Sequence, residues 1–575
     1  MVENSPQSLL KQYIFPGNHR ASDYFAAVKA CITQRDTFDV GHKEYVRWQN
    51  EIEKIYILVA DEIATNIHQP VSEVKFGTSG WRGIIGKDLF LKSVSQVTLA
   101  ILSLYEQLRT DERLAPYLGV GSKAEAKKRG CVLGFDNRFG NELLARRILE
   151  ILTGKGFAVF YAGESTTGTL SAAVLERKAA FSINLTPSHN PLEYGGIKFN
   201  AADAGPAAQI LTDRITENAR EIIKSGQLPE TTAQLNLVTN INALDSWKAL
   251  VVRNKARHGI DYNEILKTLS SRDDCRIVID SVHGASRMDV KSLMGEAALK
   301  NITFLRIDRD PTFGGIAPEP SGKNFQLAHQ ELAKQDLPYK LAVIMDPDAD
   351  RIRFTDGKAD INMNQFGAMA YHFIHEIKKK SGMVAKTVAT SNFANAIAHA
   401  LHEDVFEPKV GFKEFKPVIE QALVCFEESD GITVIGHTPE KDAYIGLFLA
   451  IDMTLTLKMN LSEYLARLQE EYGHYYPDKD GVPVSRKGSE LLAALAQLDQ
   501  YTPGMNIPLG KIEKKIAKVI DIDGHKMIFE DNSWLMIRPS GTEPKVRFYV
   551  EARSNEEKEA LFEAAKSMLH KIGLM

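Results

Sequence analysis

A chain of 575 residues, 44% hydrophobic and 25% charged, is longer than one hydrophobic core usually organises, and several globular domains are predicted. The formal net charge of -4 gives no footprint for nucleic acid or an anionic membrane, so any anion must be bound locally. Cys31, Cys131, Cys275 and Cys425 form no Cys-x-x-Cys pair, which fits reduced thiols in a cytoplasmic setting. The opening Met1-Val2-Glu3-Asn4-Ser5-Pro6 lacks the basic and apolar blocks of a secretory signal. The strongest apolar run, Ile445 to Ile451, stops at Asp452, well short of the roughly 20 residues a spanning helix needs, so no membrane association is expected.

Over residues 1–70, Trp48, Ile52, Ile55 and Val59 recur at helical spacing and share one face. The expectation is a helical N-terminal extension, residues 1–71, packed on the first domain, with a dimer contact as the alternative. From about residue 75 short apolar runs alternate with polar turns and helical stretches, the texture of α/β units. Predicted strands are Cys131–Phe135, Phe157–Tyr161 and Ala180–Leu185, then Arg276–Asp280, Thr303–Ile307 and Leu341–Met345, then Thr387–Thr390 and Ala422–Phe426. Polar motifs follow several of these runs directly, where open α/β sheets bind ligands. Near the C-terminus Val546, Phe548 and Val550 alternate with Arg547, Tyr549 and Glu551 as in a half-buried strand, and Asn555–Ile572 reads as a closing helix.

Four motifs carry chemistry. In Thr186-Pro187-Ser188-His189-Asn190-Pro191 two prolines stiffen a turn that presents a serine, a nucleophile or simply a surface turn. Asp346-Pro347-Asp348-Ala349-Asp350-Arg351 follows a strand; alternate residues of an extended segment point one way, so three carboxylates converge, as a hard cation such as Mg²⁺ requires. Arg351 and Gly357, at its sixth and twelfth positions, argue against a calcium loop, whereas an aspartyl-phosphatase loop with Asp346 as nucleophile is a genuine rival. Glu427-Glu428-Ser429-Asp430-Gly431, with Glu440-Lys441-Asp442 beyond it, offers partners for vicinal hydroxyls. Arg538-Pro539-Ser540-Gly541-Thr542-Glu543-Pro544 combines an arginine fork, two hydroxyls and a glycine, the makings of a phosphate cradle or of a plain turn.

Taken together in this order, the four motifs resemble the α-D-phosphohexomutase superfamily, and within it the phosphoglucomutase/phosphomannomutase family. Phe76-Gly77-Thr78-Ser79-Gly80-Trp81-Arg82-Gly83 is similar to the family's opening motif, and Tyr194-Gly195-Gly196-Ile197-Lys198-Phe199-Asn200 to the segment after its phosphoserine loop. The resemblance spans roughly residues 72–575. It implies three α/β domains with mixed sheets and a C-terminal α+β domain around a central cleft, at residues 72–236, 237–358, 359–480 and 481–575. It further implies that Ser188 is the phosphoserine and that Asp346, Asp348 and Asp350 hold Mg²⁺ with it. Glu427 and Ser429 would grip sugar hydroxyls, and Arg538, Ser540, Gly541 and Thr542 the unreacting phosphate. Arg351 and Lys441 would add positive charge, and Arg82 would brace the serine loop. The implied reaction interconverts hexose 1- and 6-phosphates through a bisphosphate, with Lys198 preferred over His189 as general base.

Phe426 and Asp430 depart from the family pattern, standing where its sugar loop commonly has glycine. Val410-Gly411-Phe412-Lys413 and Gly205-Pro206-Ala207 resemble bacterial phosphoglucomutases and point to glucose 1-phosphate and 6-phosphate, with glucose 1,6-bisphosphate as intermediate and activator. Phosphomannomutase or another hexose or pentose mutase is the alternative within the family. An aspartate-nucleophile phosphatase and a non-catalytic sugar-phosphate binder are the alternatives outside it. The expected partners are small hexose phosphates, and the expected state is a monomer or homodimer.

Overall fold

A computed structural model describes residues 6–77, 80–230, 232–510, 512–540 and 545–575. Among them are four sheets, each placed where its strands could bury apolar runs against helices. The first has the order Trp81–Ile84, Tyr194–Ala201, Phe181–Leu185, Cys131–Phe135, Val159–Glu164, Val238–Asn240. It is mixed: Cys131–Phe135 runs parallel to both neighbours, while Tyr194–Ala201 returns antiparallel to Phe181–Leu185. Because Val238–Asn240 pairs with Val159–Tyr161, this sheet extends past the boundary expected at residue 236.

The second sheet orders Asp360–Ile361, Ile352–Thr355, Tyr339–Met345, Cys275–Asp280 and Ile302–Leu305, and the third Val405–Phe406, Val384–Lys386, Val424–Glu427 and Gly431–Val434. Both are mixed, and one continuous core joins them. The helix Ala443–Leu457 lies in that core, its residues 443–455 buried on all sides. That accounts for its long apolar run without a bilayer, and no single helix among the described residues is long and apolar enough to cross a membrane.

The C-terminal sheet is antiparallel, with Lys545–Ala552 central between Tyr476–Pro483 and Trp534–Pro539, and Asn555–Lys571 packs on it. Tyr476–Pro483 straddles the boundary expected at residue 480.

Two sequence expectations need correction. The strand expected at Thr387–Thr390 is Val384–Lys386, and the threonines instead close a buried turn, Thr390 N–H donating to the Thr387 carbonyl at 2.9 Å. The strand Lys545–Ala552 is buried on both faces toward its end, since Tyr549 and Glu551 are covered by the third domain.

The N-terminal extension forms helices Pro6–Leu10, Tyr24–Arg35 and Lys43–Thr65. Trp48, Ile52, Ile55 and Val59 are all buried, sharing a core with the first domain.

Candidate active site

The strand Phe181–Leu185 delivers the chain into the serine loop. Ser188 takes φ +57°, a left-handed conformation unusual for a residue with a Cβ, and is almost wholly buried. Its backbone N–H donates to Thr186 Oγ1 at 2.8 Å, and that hydroxyl donates to Asp136 Oδ2 at 2.7 Å. Below the loop the buried Arg138 guanidinium donates to four carbonyls, those of Ser188 (2.7 Å), Asn190 (2.5 Å), Pro191 (2.6 Å) and Tyr194 (3.0 Å). Arg82 donates to Asn190 Oδ1 at 2.8 Å. Beside the loop the strand passes so close that a Cβ on Gly196 would meet the Thr186 carbonyl oxygen at 2.6 Å, which accounts for glycine at that position.

Held this way, Ser188 Oγ donates to Asp346 Oδ2 at 2.7 Å, across from the first domain to the second. Asp346, Asp348 and Asp350 are buried, with one carboxylate oxygen of each within 4.8 Å of the others. They converge through a tight turn rather than through strand alternation: Ala349 takes φ +50°, and the Asp350 and Arg351 N–H groups both donate to Asp346 Oδ1 at 3.1 Å. Lys198 Nζ donates to Asp348 Oδ2 at 2.6 Å and Asp350 Oδ2 at 2.7 Å, and Thr167 Oγ1 to Asp348 Oδ2 at 2.6 Å. Asp348 Oδ1 is buried with no hydrogen-bond partner among the described residues. An all-oxygen set with one unsatisfied buried oxygen fits a hard divalent cation.

The electrostatics are uneven. Burial, and then Asp348 and Asp350, push the Asp346 carboxyl well above its usual range. Burial acts the same way on Asp350, but Lys198, Lys441 and Arg351 outweigh it and hold that carboxyl well below. Burial opposes the Lys198 charge, yet Asp348, Asp350 and Glu440 hold its ammonium firmly protonated. His189, whose Nδ1 lies 3.4 Å from Ser188 Oγ, is kept neutral by burial and then by Arg351 and Arg82. In this arrangement His189 is unprotonated but its surroundings disfavour the imidazolium, and Lys198 could accept a proton only when released from the carboxylates.

A cleft of about 600 Å³ opens over these groups. Arg82, His189, Lys198, Asp350, Arg351, Glu427, Ser429, Lys441, Arg538 and Ser540 line it, while Ser188, Asp346 and Asp348 are buried behind that lining. Lys441 Nζ stands 3.5 Å from both Asp350 Oδ2 and Glu427 Oε1, linking the carboxylate turn to the loop that follows Glu427. Arg538 pairs with Asp523 at 3.1 Å. Gly541 and Thr542, like Thr78 and Ser79 of the opening motif, lie outside the described residues.

The departures from the family pattern at Phe426 and Asp430 are accommodated. Asp430 takes φ +72° and accepts from Arg353 Nε at 2.8 Å, and the Phe426 ring fills the space a Cβ on Gly367 would occupy. Sequence reasoning missed Arg138, Thr167, Arg353 and the cleft-lining Lys479 and Arg547. Arg547 had a legible signal, the polar alternation of the last strand. Arg138 had only its place two residues after the strand-end Asp136.

Four family models match in chain order. They are described as phosphoglucomutase/phosphomannomutase alpha/beta/alpha domain I over residues 73–225, domain II over 259–359, domain III over 362–472, and the C-terminal domain over 485–567. A phosphoglucomutase of Staphylococcus haemolyticus is 27% identical, the match covering 83% of this chain and 90% of that one. A phosphopentomutase of Thermococcus kodakarensis is 24% identical over 86% of this chain and 98% of its own. Among solved structures, the Paramecium exocytosis-sensitive phosphoprotein pp63/parafusin, a phosphoglucomutase in an open form, has a TM-score of 0.67. It is 19% identical and the match covers 88% of this chain and 96% of that one, a likeness of fold.

Proposed function

This chain belongs to the phosphoglucomutase/phosphomannomutase family, and from that membership we propose that it interconverts glucose 1-phosphate and glucose 6-phosphate by way of glucose 1,6-bisphosphate. The observation that carries the reading is the Ser188 hydroxyl 2.7 Å from Asp346, within a buried three-carboxylate cluster.

In this reading Ser188 carries a phosphoryl group, and Asp346, Asp348 and Asp350 would hold Mg²⁺. Mg²⁺, when bound, neutralises charge on the phosphoryl oxygens. A free hydroxyl of the bound sugar phosphate attacks the phosphoserine phosphorus. The sugar O–P bond forms as the Ser188 O–P bond breaks, and the hydroxyl proton leaves to His189 or Lys198, from which the departing Ser188 oxygen is reprotonated. Glu427 and Ser429 take sugar hydroxyls. Arg538 and Ser540, with Gly541 and Thr542 of the same turn, anchor the phosphate that is not reacting. Arg351 and Lys441 balance the cleft's negative charge, and Arg82 braces the serine loop through Asn190. The bisphosphate turns around and returns its other phosphoryl group to Ser188, leaving the enzyme as it began.

The glucose preference is supported by Val410, Gly411, Phe412, Pro206 and Ala207, which carry the phosphoglucomutase-like segments and line the cleft. Four buried unpaired cysteines fit a reducing cytoplasm. The test is the initial rate on the 1-phosphates of glucose, mannose, glucosamine and ribose with Mg²⁺ and a trace of the matching bisphosphate, following inorganic phosphate in parallel. Isomerisation of the glucose ester well ahead of the others, without phosphate release, is expected. Phosphate release without isomerisation would return Asp346 to the role of nucleophile.

A further inference from the structure

The family models begin at residue 73, so the N-terminal extension has no role assigned by them. Its packing is specific. Three glycines with positive φ, Gly86 (+82°), Gly140 (+82°) and Gly315 (+79°), each face an extension side chain. A Cβ on Gly86 would meet Glu62 Oε2 at 2.6 Å, one on Gly140 would meet Ile63 Cδ1 at 2.6 Å, and one on Gly315 would meet Ile32 Cγ2 at 2.6 Å. Gly86 and Gly140 belong to the first domain, and Gly315 to the second. The extension thus sits in notches on both.

Those notches adjoin the reacting groups. Gly140 closes the turn that begins at Asp136 and holds Arg138, and the Tyr56 ring of the extension stacks on Phe139 in that turn at 4.4 Å. Next to Gly315, Phe313 is fully buried in the core that the extension shares with the first domain. Its ring lies under the Arg138 guanidinium at 4.9 Å, the group that collects four carbonyls of the serine loop. From the other side Lys29 of the extension reaches Glu193, just beyond that loop, at 2.6 Å. Thr312 and Phe313 of the second domain are therefore buried between the extension and the turn that pins Ser188, while Gly314 and Gly315 lie at the exposed edge of that contact.

We propose that the N-terminal extension is an intramolecular clamp that fixes the second domain against the first and so sets the distance between Ser188 and the three aspartates. The need for one is evident in the site itself: the nucleophile comes from one domain and the carboxylates from the other, and phosphoryl transfer depends steeply on their separation. This inference rests on the phosphoserine reading. Ile32, Ile63 and Tyr56 touch no substrate and are positioning residues.

The test uses the full chain with Ile32→Ala, which empties the notch over Gly315, and Ile32→Leu, which refills it. Leu569→Ala, in the core of the C-terminal domain, is the control for general loss of stability. Two readouts are taken well below unfolding: rapid-quench transfer of labelled phosphate from glucose 1,6-bisphosphate to the dephosphorylated enzyme, and amide exchange over residues 186–194. Ile32→Ala is expected to slow labelling about tenfold and to speed exchange in the serine loop, with KM little changed. Ile32→Leu should restore both, and Leu569→Ala should alter neither. Wild-type labelling and exchange in Ile32→Ala, or equal slowing in Leu569→Ala, would overturn the clamp. Should the wild-type enzyme take no label, the phosphoserine reading fails, and loop exchange alone decides: faster in Ile32→Ala supports the clamp, unchanged refutes it.

Discussion

At Ser188 the backbone takes φ +57°, a conformation that costs an L-residue about 1–2 kcal/mol and that glycine adopts freely. The strain is held by Thr186, Asp136 and Arg138, and its effect is a hydroxyl aimed at Asp346. Ser188→Ala and Ser188→Gly should both lose turnover. The glycine variant should be the more stable by about 1 kcal/mol, because it keeps the turn without the strain; equal denaturation midpoints would count against that account. At Asp346 burial and two neighbouring carboxylates push the carboxyl well above its usual range, so Asp346→Asn relieves like-charge crowding in the buried cluster. In EDTA it should stay within about 1 kcal/mol of wild type, yet lose the rise in melting temperature that Mg²⁺ gives the parent, as a thermal shift series will read. Ser188 and the aspartates were legible because each motif is contiguous and unusual. Arg138 was not, since its task exists only once residues 188–194 fold back over it.

Among the elements, Cys131–Phe135 and Leu341–Met345 could be read because an apolar run ends abruptly at an aspartate or a polar turn. The segment Thr387–Thr390 misled: β-branched residues suggest a strand, but the buried Lys386 ammonium draws in the Thr390 carbonyl and Asn392 Oδ1, both at 3.0 Å, and closes a turn there. The turn after Val424–Glu427 is a similar case, in which Asp430 occupies a left-handed position and offsets its strain with the Arg353 pair. Replacement by glycine removes strain and pair together, whereas alanine removes only the pair. Asp430→Gly should therefore be more stable than Asp430→Ala by about 1 kcal/mol, and both should raise KM for the sugar phosphate as the loop loosens. Chemical denaturation with steady-state kinetics checks both statements.

For the molecule as a whole, four loops far apart in sequence meet at one cleft, and no periodicity or spacing in the chain announces that meeting. Only the resemblance of the motifs taken together did so, and it was silent on the N-terminal helices, which have no counterpart in the family models. Global stability carries its own signature. Burial lowers His258 to about 3 and His372 to about 4 from an ordinary value of 6.5. The unfolded chain binds protons at both below pH 6.5, while the native protein takes them only near pH 4 and 3. Their contribution is thus present above pH 6.5 and lost as pH falls toward 4 and then 3, so the melting temperature should drop across that range, and His372→Gln should flatten its upper part. The central claim concerns Ser188, and the most direct measurement is peptide mass spectrometry of the purified protein after incubation with glucose 1,6-bisphosphate and Mg²⁺. With an isotopically labelled bisphosphate, one acid-stable labelled phosphate on Ser188, exchanged for unlabelled phosphate when excess unlabelled glucose 6-phosphate is added, is the result predicted. A phosphate on Asp346, or none on any residue while isomerisation proceeds, would contradict the account.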